Sequence, residues 1–121
     1  MDIINLLAKF ELFDDVWTPK IVGELNNQYI KLAKFEGQMV WHSHAHEDEF
    51  FHVIEGEIMI HLRDKTVTLK QGECFIVPKG VEHMPEAKSV AKVLLFEPKS
   101  TAHTGQDKTA LTVNIESQQW I

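Results

Sequence analysis

Two stretches of this sequence carry residue types that ligate metals. His42-Ser43-His44 offers two alternating imidazoles, and Glu49 follows after four intervening residues. Further on, Gly72 to His83 offers one more imidazole, His83, behind Pro78 and Gly80. Three neutral imidazoles and one carboxylate suit a borderline divalent ion such as Fe, Mn, Ni, Co or Zn, and they leave it a net charge of about +1. An octahedral ion held this way keeps two adjacent open positions. It can polarise a carbonyl or enediol as a Lewis acid, or activate dioxygen when the ion is iron. A molecule chelating through two oxygens fits such a centre.

For these side chains to meet, the intervening chain must turn them inward. Residues two apart on a strand share a face, so His42 and His44 project together while Trp41 and Ser43 project away. Glu49 has the wrong parity for one continuous strand. The polar stretch Ala45-His46-Glu47-Asp48 reads as a bend that resets it, after which Glu49, Phe51 and Val53 share a face. Pro78 fixes φ and Gly80 permits a tight turn, so His83 enters the next strand in a defined direction. Pro85 lacks a ladder donor and suits a strand start or an edge.

Short runs rich in β-branched and aromatic residues predict strands at 28–35, 39–44, 49–54, 57–62, 66–69, 73–77 and 90–96. Turn residues separate them: Gly37, Gly56, Arg63-Asp64-Lys65, Gln71-Gly72 and Pro78-Lys79-Gly80. This spacing predicts an all-β sandwich or barrel. Ile3, Leu6, Leu7 and Phe10 predict a short helix over about 2–11, capped by Asp2. Residues 11–23 are less regular, with Pro19 and Gly23 as breakers. Residues 100–108 read as a polar loop, and Leu111, Val113 and Ile115 alternate again.

The other candidates read as structural. His46 alternates with His44, but only two residues then precede Glu49, so it belongs to the bend. His52 has the parity opposite to Glu49 and reads as a surface or sheet-packing residue. His61 and His103 have no evident partners. Cys74, in an apolar run, reads as a small core residue rather than a nucleophile. Trp41, Phe50 and Phe51 read as core or dimer-contact residues.

Composition sets the frame. The 121 residues suffice for one core and not two, and 44% hydrophobic with 25% charged residues is the mix of a soluble globular domain. A formal charge of -6, with no basic tract, argues against nucleic acid. One cysteine excludes an internal disulfide and fits a reducing, cytoplasmic setting. The opening residues MDIINLLAKF have neither a basic leader nor a membrane-length apolar run.

The two motifs resemble those of the cupin superfamily. His42, His44, Glu49 and Gly56 match the order and spacing of its first motif; Gly72, Pro78, Gly80 and His83 match the second, after a fifteen-residue spacer. Two positions depart: four residues rather than five separate Gly37 from His42, and the final asparagine of the second motif falls on Ala87. The chain is also similar to small single-domain cupins often labelled mannose-6-phosphate isomerase-like, through its opening helix, the segment KIVGELNNQYIKLAKFEG and Glu97-Pro98. Its length leaves no room for the extra helical domain of true phosphomannose isomerases.

The resemblance implies a double-stranded β-helix, or jelly roll, over about 25–97, within a single domain spanning 1–121 and a C-terminal extension from 98. It implies one divalent metal on His42, His44, Glu49 and His83, and a homodimer. The expected function is that of a metal-dependent oxygenase or isomerase acting on a small polar substrate, the alternative being a non-catalytic ligand-binding or sensing domain.

Overall fold

The computed structural model describes residues 1–101 and 118–121. A five-residue helix, α1 (Leu6–Phe10), precedes strands β1 (Lys20–Leu25), β2 (Gln28–Gln38), β3 (Glu49–Glu55), β4 (Glu57–Leu62), β5 (Thr66–Lys70), β6 (Cys74–Val77), β7 (His83–Pro98) and β8 (Gln119–Trp120). The architecture is all-β with a short N-terminal helix, as a jelly-roll cupin requires.

One strand organises the rest. β7 pairs antiparallel with β2 along nearly its whole length, from Gln28↔Pro98 to Gln38↔Glu86. Its opposite edge is shared by two strands. β4 takes the first part, with Leu62↔His83 and Met59↔Glu86. β3 takes the second, with Glu55↔Lys92 and Phe50↔Phe96. β5 then pairs with β4, and β6 with β3. The change of partner falls at Lys88–Val90, three exposed residues. Gly56 makes that hand-over possible. Its φ is 94°, and a side chain there would press on Ala91, with an added Cβ 3.1 Å from the Ala91 Cα.

Alternation along β7 is clean on either side of Lys88–Val90. His83, Pro85, Ala87, Ala91, Val93, Leu95 and Glu97 are all buried, and the even positions are not. Of these, Ala87, Ala91, Val93 and Leu95 meet Ala33, Phe35, Phe51, Val53, Ile58 and Ile60 in the barrel core. A second cluster lies on the outer face, where Phe10 and Phe13 cover Val22 and Leu32, flanked by Ile30, Ile54, Leu94 and Ile121. The helix and the segment after it are therefore a cover for β1 and β2. The end of the chain also returns to this sheet, where β8 runs parallel to β1.

Several expectations change. The helix begins at Leu6, because Asn5 and not Asp2 caps it, accepting from the Ala8 amide at 3.1 Å. Residues 39–44 form no strand; an isolated bridge, His42↔His83, and a bond from the Met39 amide to the Pro85 carbonyl link them to the sheet. β7 begins at His83 rather than 90. β1 occupies part of the region read as irregular, so the sheet starts at Lys20 rather than 25. Gly23 marks a register shift in β1 rather than its end. Cys74 is exposed; among the described residues its four-residue strand β6 pairs only with β3. His61 has two partners, Thr66 and Glu86. His103 and the alternation at 111–115 lie outside the described residues.

Candidate metal centre

His42 and His83 are brought together by reciprocal backbone bonds. The His42 amide donates to the His83 carbonyl at 3.0 Å, and the His83 amide to the His42 carbonyl at 2.9 Å. The Pro78–Gly80 turn ties in the third imidazole: Gly80, at φ 81°, donates its amide to the His44 carbonyl at 2.7 Å. Asp48 accepts from the Lys79 amide at 2.8 Å, fixing the bend to the same turn. Ala45 and His46 form that bend, and both are exposed. Beyond it Glu49 opens β3 pointing inward, as the parity argument requires.

The ring orientations are also determined. Nδ1–H of His42 donates to the Val40 carbonyl, and Nδ1–H of His83 to the Val81 carbonyl, each at 2.9 Å. In the neutral ring this tautomer leaves Nε2 as the free lone pair, and both Nε2 atoms are buried. Neither Nε2 has a hydrogen-bond partner among the described residues. His44 Nε2 touches Glu49 Oε2, and His83 Nε2 lies 3.6 Å from the same oxygen. The exposures of His42, His44, Glu49 and His83 are 2%, 3%, 6% and 1%, and one donor atom from each lies within 4.8 Å of all the others. Donors held about 2.1 Å from one ion are separated by roughly 3–4 Å, so the cluster is able to bind a metal.

The protonation energetics fit this. Burial, aided by the neighbouring His83, lowers the His42 imidazole to about 4, leaving it in the neutral, ligating form. For His44, burial opposes protonation, but the Glu49 carboxylate outweighs it and the pKa rises. Burial likewise works against the Glu49 charge, yet contacts with His44 and His83 hold its carboxyl below the usual carboxylate range. A carboxylate in contact with an imidazole nitrogen at the bottom of a buried site is a place where a metal cation can stand in for a proton.

Beside the donors lies a cavity of about 390 Å³ counted to its open mouth. It is narrow, with room for on the order of one or two waters. Trp17, Pro19, Ala33, Phe35, Met39, Phe51, Pro85 and Leu95 line it, together with His42, Glu49 and Glu97. Trp17 closes one side, stacked on Phe35 with centroids 4.4 Å apart. Its backbone sits at φ 57°, a costly conformation for an aromatic residue. Two bonds hold it there, Nε1–H to the Glu36 carbonyl and N–H to the Lys34 carbonyl, both at 2.8 Å.

The four residues expected to converge from their spacing do converge. Sequence reasoning missed Trp17 and the buried pair Lys31–Glu97, whose Nζ and Oε1 are 2.9 Å apart. Burial pushes the Glu97 carboxyl up to about 7, Lys31 pulling against it and Glu49 reinforcing it. A signal for both was present: Lys31 alternates with Ala33 and Phe35, and Glu97 with Leu95 and Val93, so each occupies an inward position. Phe51 is core as expected, while Phe50 and Trp41 are half-buried, the latter under Arg63 with 3.8 Å from guanidinium carbon to ring centroid.

Comparison with known proteins agrees with this geometry. The Cupin_2 family, described as a cupin domain, matches residues 29–97. Protein YdbB of Bacillus subtilis (strain 168) is 41% identical over 80 residues, 65% of this chain and 71% of its own. The crystal structure of a cupin-2 domain containing protein from Shewanella frigidimarina is 47% identical, with a TM-score of 0.79 over 79% of this chain and 94% of that one. Protein NMB1881 from Neisseria meningitidis is 28% identical, with a TM-score of 0.74 over 80% and 99%. Hydroquinone 1,2-dioxygenase from Sphingomonas, at 21% identity and a TM-score of 0.62 over 69% and 66%, shares the fold alone. With the family matched over more than half its length, on a barrel that brings together both histidine motifs, the chain belongs to the cupin-domain family.

Proposed function

We propose that this chain holds one divalent transition metal ion, of the Fe, Mn, Ni, Co or Zn group, on His42, His44, Glu49 and His83, and uses it to bind and activate a small polar molecule. The observation that carries this is the set of four buried donors within 4.8 Å, two of whose ring nitrogens face inward without a partner. Buried polar atoms left unpaired are costly, and a cation satisfies them together. The bound ion supplies Lewis acidity or, as iron, dioxygen activation. The protein's own contribution is to lock His42 and His83 through backbone carbonyls, to offset the ion's charge with Glu49, and to exclude bulk water with an apolar wall. The reaction class this fits is oxygenation or isomerisation of a small polar substrate.

A second reading, a non-catalytic ligand-binding or sensing domain, draws on the narrowness of the cavity, which suits holding a small ligand as well as turning it over. Further parts of the proposal are one domain across the chain, a cytoplasmic setting suited to the single exposed Cys74, and pairing of two copies. The last draws on the edge strand β6, where Ile76 is 56% exposed beside half-buried Phe50 and Phe96.

Elemental analysis of protein purified without added metal tests the ion: one transition metal per chain supports the centre, and its absence after reconstitution refutes it. Oxygen uptake by the iron-loaded protein across diols, keto acids and thiols, alongside isomer analysis of the products, then separates the readings. Turnover with any of them supports catalysis, whereas affinity with no turnover supports the binding domain.

A further inference from the structure

Among the residues lining the cavity, eight are apolar or proline and two are proposed metal donors. The remaining one is Glu97, 4% exposed. Its Oε1 accepts from Lys31 Nζ at 2.9 Å, and Lys31 is itself 1% exposed. Its other oxygen makes no hydrogen bond among the described residues. The sheet register explains where it points. Phe50 pairs with Phe96, so Glu97 follows one strand over from Glu49, on the same inward face. On its other side β2 pairs Lys31 with Leu95. The Glu97 carboxylate thus stands between the strand that opens with a metal donor and the strand that carries the lysine.

Stability does not account for such a pair. Taking two charges out of water offsets most of their attraction, and apolar side chains of similar volume commonly serve as well or better. In ligand cavities with mostly apolar walls, the few polar groups are those that orient what binds. A carboxyl group on the cavity wall, braced by a lysine on one oxygen, is a fixed hydrogen-bonding partner that accepts when ionised.

We infer that Glu97, positioned by Lys31, selects the ligand of this centre by accepting a hydrogen bond from a hydroxyl or N–H group on a small molecule whose adjacent oxygens take the open metal positions. The chemical class is a compact oxygen chelator with one donor beside the chelating atoms: a hydroxamic acid, or a hydroxy acid or hydroxy-ketone that carries a further hydroxyl. The inference rests on the metal reading above.

The test uses the full chain loaded with Co(II), whose visible spectrum reports changes at the open positions. It is titrated with acetohydroxamic acid and with N-methylacetohydroxamic acid, which offer the same two oxygens and differ in the N–H. The expected preference for the first is about ten-fold or more, since a buried acceptor left unpaired discriminates strongly. In the double variant Lys31→Met/Glu97→Leu the expected result is one Co(II) per chain, an unchanged or higher melting temperature, and equal affinity for both probes. A preference that survives in this variant reflects the bulk of the methyl group, and overturns the inference. Loss of cobalt from the double variant also overturns it, because the pair then serves the metal centre. If the double variant does not fold, Glu97→Gln replaces it, and an undiminished preference there has the same consequence. Wild-type protein that binds Co(II) but shows no preference, or binds neither probe, sinks this inference alone; wild-type protein that takes up no cobalt sinks the metal reading and this inference with it.

Discussion

Among the described residues histidine meets glutamate in two places, and they differ in what is left over. His61 sits at the barrel surface. Its Nε2 meets Glu86 at 2.7 Å and its Nδ1 meets Thr66 at 2.8 Å, so the ring has no spare valence. Both partners are about a fifth exposed, and water can replace either bond. His44 meets Glu49 at the bottom of the barrel, where both are nearly inaccessible, and the rings of His42 and His83 stand beside them with centroids 5.1 and 5.8 Å from His44. There the nitrogen atoms outnumber the hydrogen-bond partners. The same two residue types make a saturated surface link in one place and an unsaturated buried cluster in the other. Function follows the unsatisfied valence rather than the residue types.

The sharpest way to break this comparison is to delete one imidazole from each region and measure metal. His44→Ala and His83→Ala should each lose most of the transition metal bound by the parent, while His61→Ala keeps it at full stoichiometry. Because metal binding is linked to folding, the two site variants should also melt at the temperature of the metal-free parent. At a free metal concentration a hundred times the dissociation constant, that loss amounts to about 2.7 kcal/mol. Full metal content in His44→Ala, by elemental analysis, would show that the buried cluster is no different in kind from the surface pair.

Acidification sharpens the same contrast. A metal needs all three imidazoles unprotonated, so protons compete with it. The direction is fixed by the shifts. His44, raised by Glu49, begins to take a proton above the ordinary value of 6.5, whereas His42, lowered to about 4 by burial and His83, resists until much lower pH. Competition through His44 therefore starts first, and metal affinity falls as pH drops from about 7 toward 5. The difference in melting temperature between metal-loaded and metal-free protein should shrink over that range. Without metal, His42 has the opposite sign from His44. Its folded pKa lies below the unfolded one, so it removes stability as pH falls from 6.5 to 4, while His44 adds stability below 6.5 that is lost as pH rises through its raised pKa. A melting-temperature difference that stays constant from pH 7 to 5 would refute the competition.

The sequence made the buried cluster readable because two kinds of signal coincided. Alternation put His42 with His44, and the polar run 45–48 reset the parity for Glu49, so convergence could be argued before any fold was known. Other parts were hidden by rules that hold on average. Lys31 and Glu97 occupy inward positions, but charged residues are normally read as facing water, and only the three-dimensional partner explains their burial. Gly23 reads as a breaker, whereas β1 absorbs it as a bulge. Pro85 suggests a strand start, yet β7 begins two residues earlier, and Pro85 sits opposite Ile60 with its carbonyl accepting from the Met39 amide. The partners of His61 were legible in principle, since the β4–β5 hairpin register sets it opposite Thr66.

The smallest effect belongs to the saturated pair. Replacing His61 with alanine removes its bonds to Thr66 and Glu86 but leaves both partners able to reach water. Half-exposed pairs of this kind contribute about 0.5–1 kcal/mol, so the expected cost is a melting temperature lower by roughly 2–5 °C. The two regions should then behave independently, since additivity holds for sites with no shared partners. His61→Ala combined with His44→Ala should destabilise the metal-loaded protein by the sum of the single effects, within about 0.5 kcal/mol. A markedly smaller or larger sum in denaturant unfolding would mean that β4 and β7, which join at Leu62↔His83, transmit strain from the surface pair into the buried cluster. In that case the surface histidine would be part of the machinery that holds His83 in place.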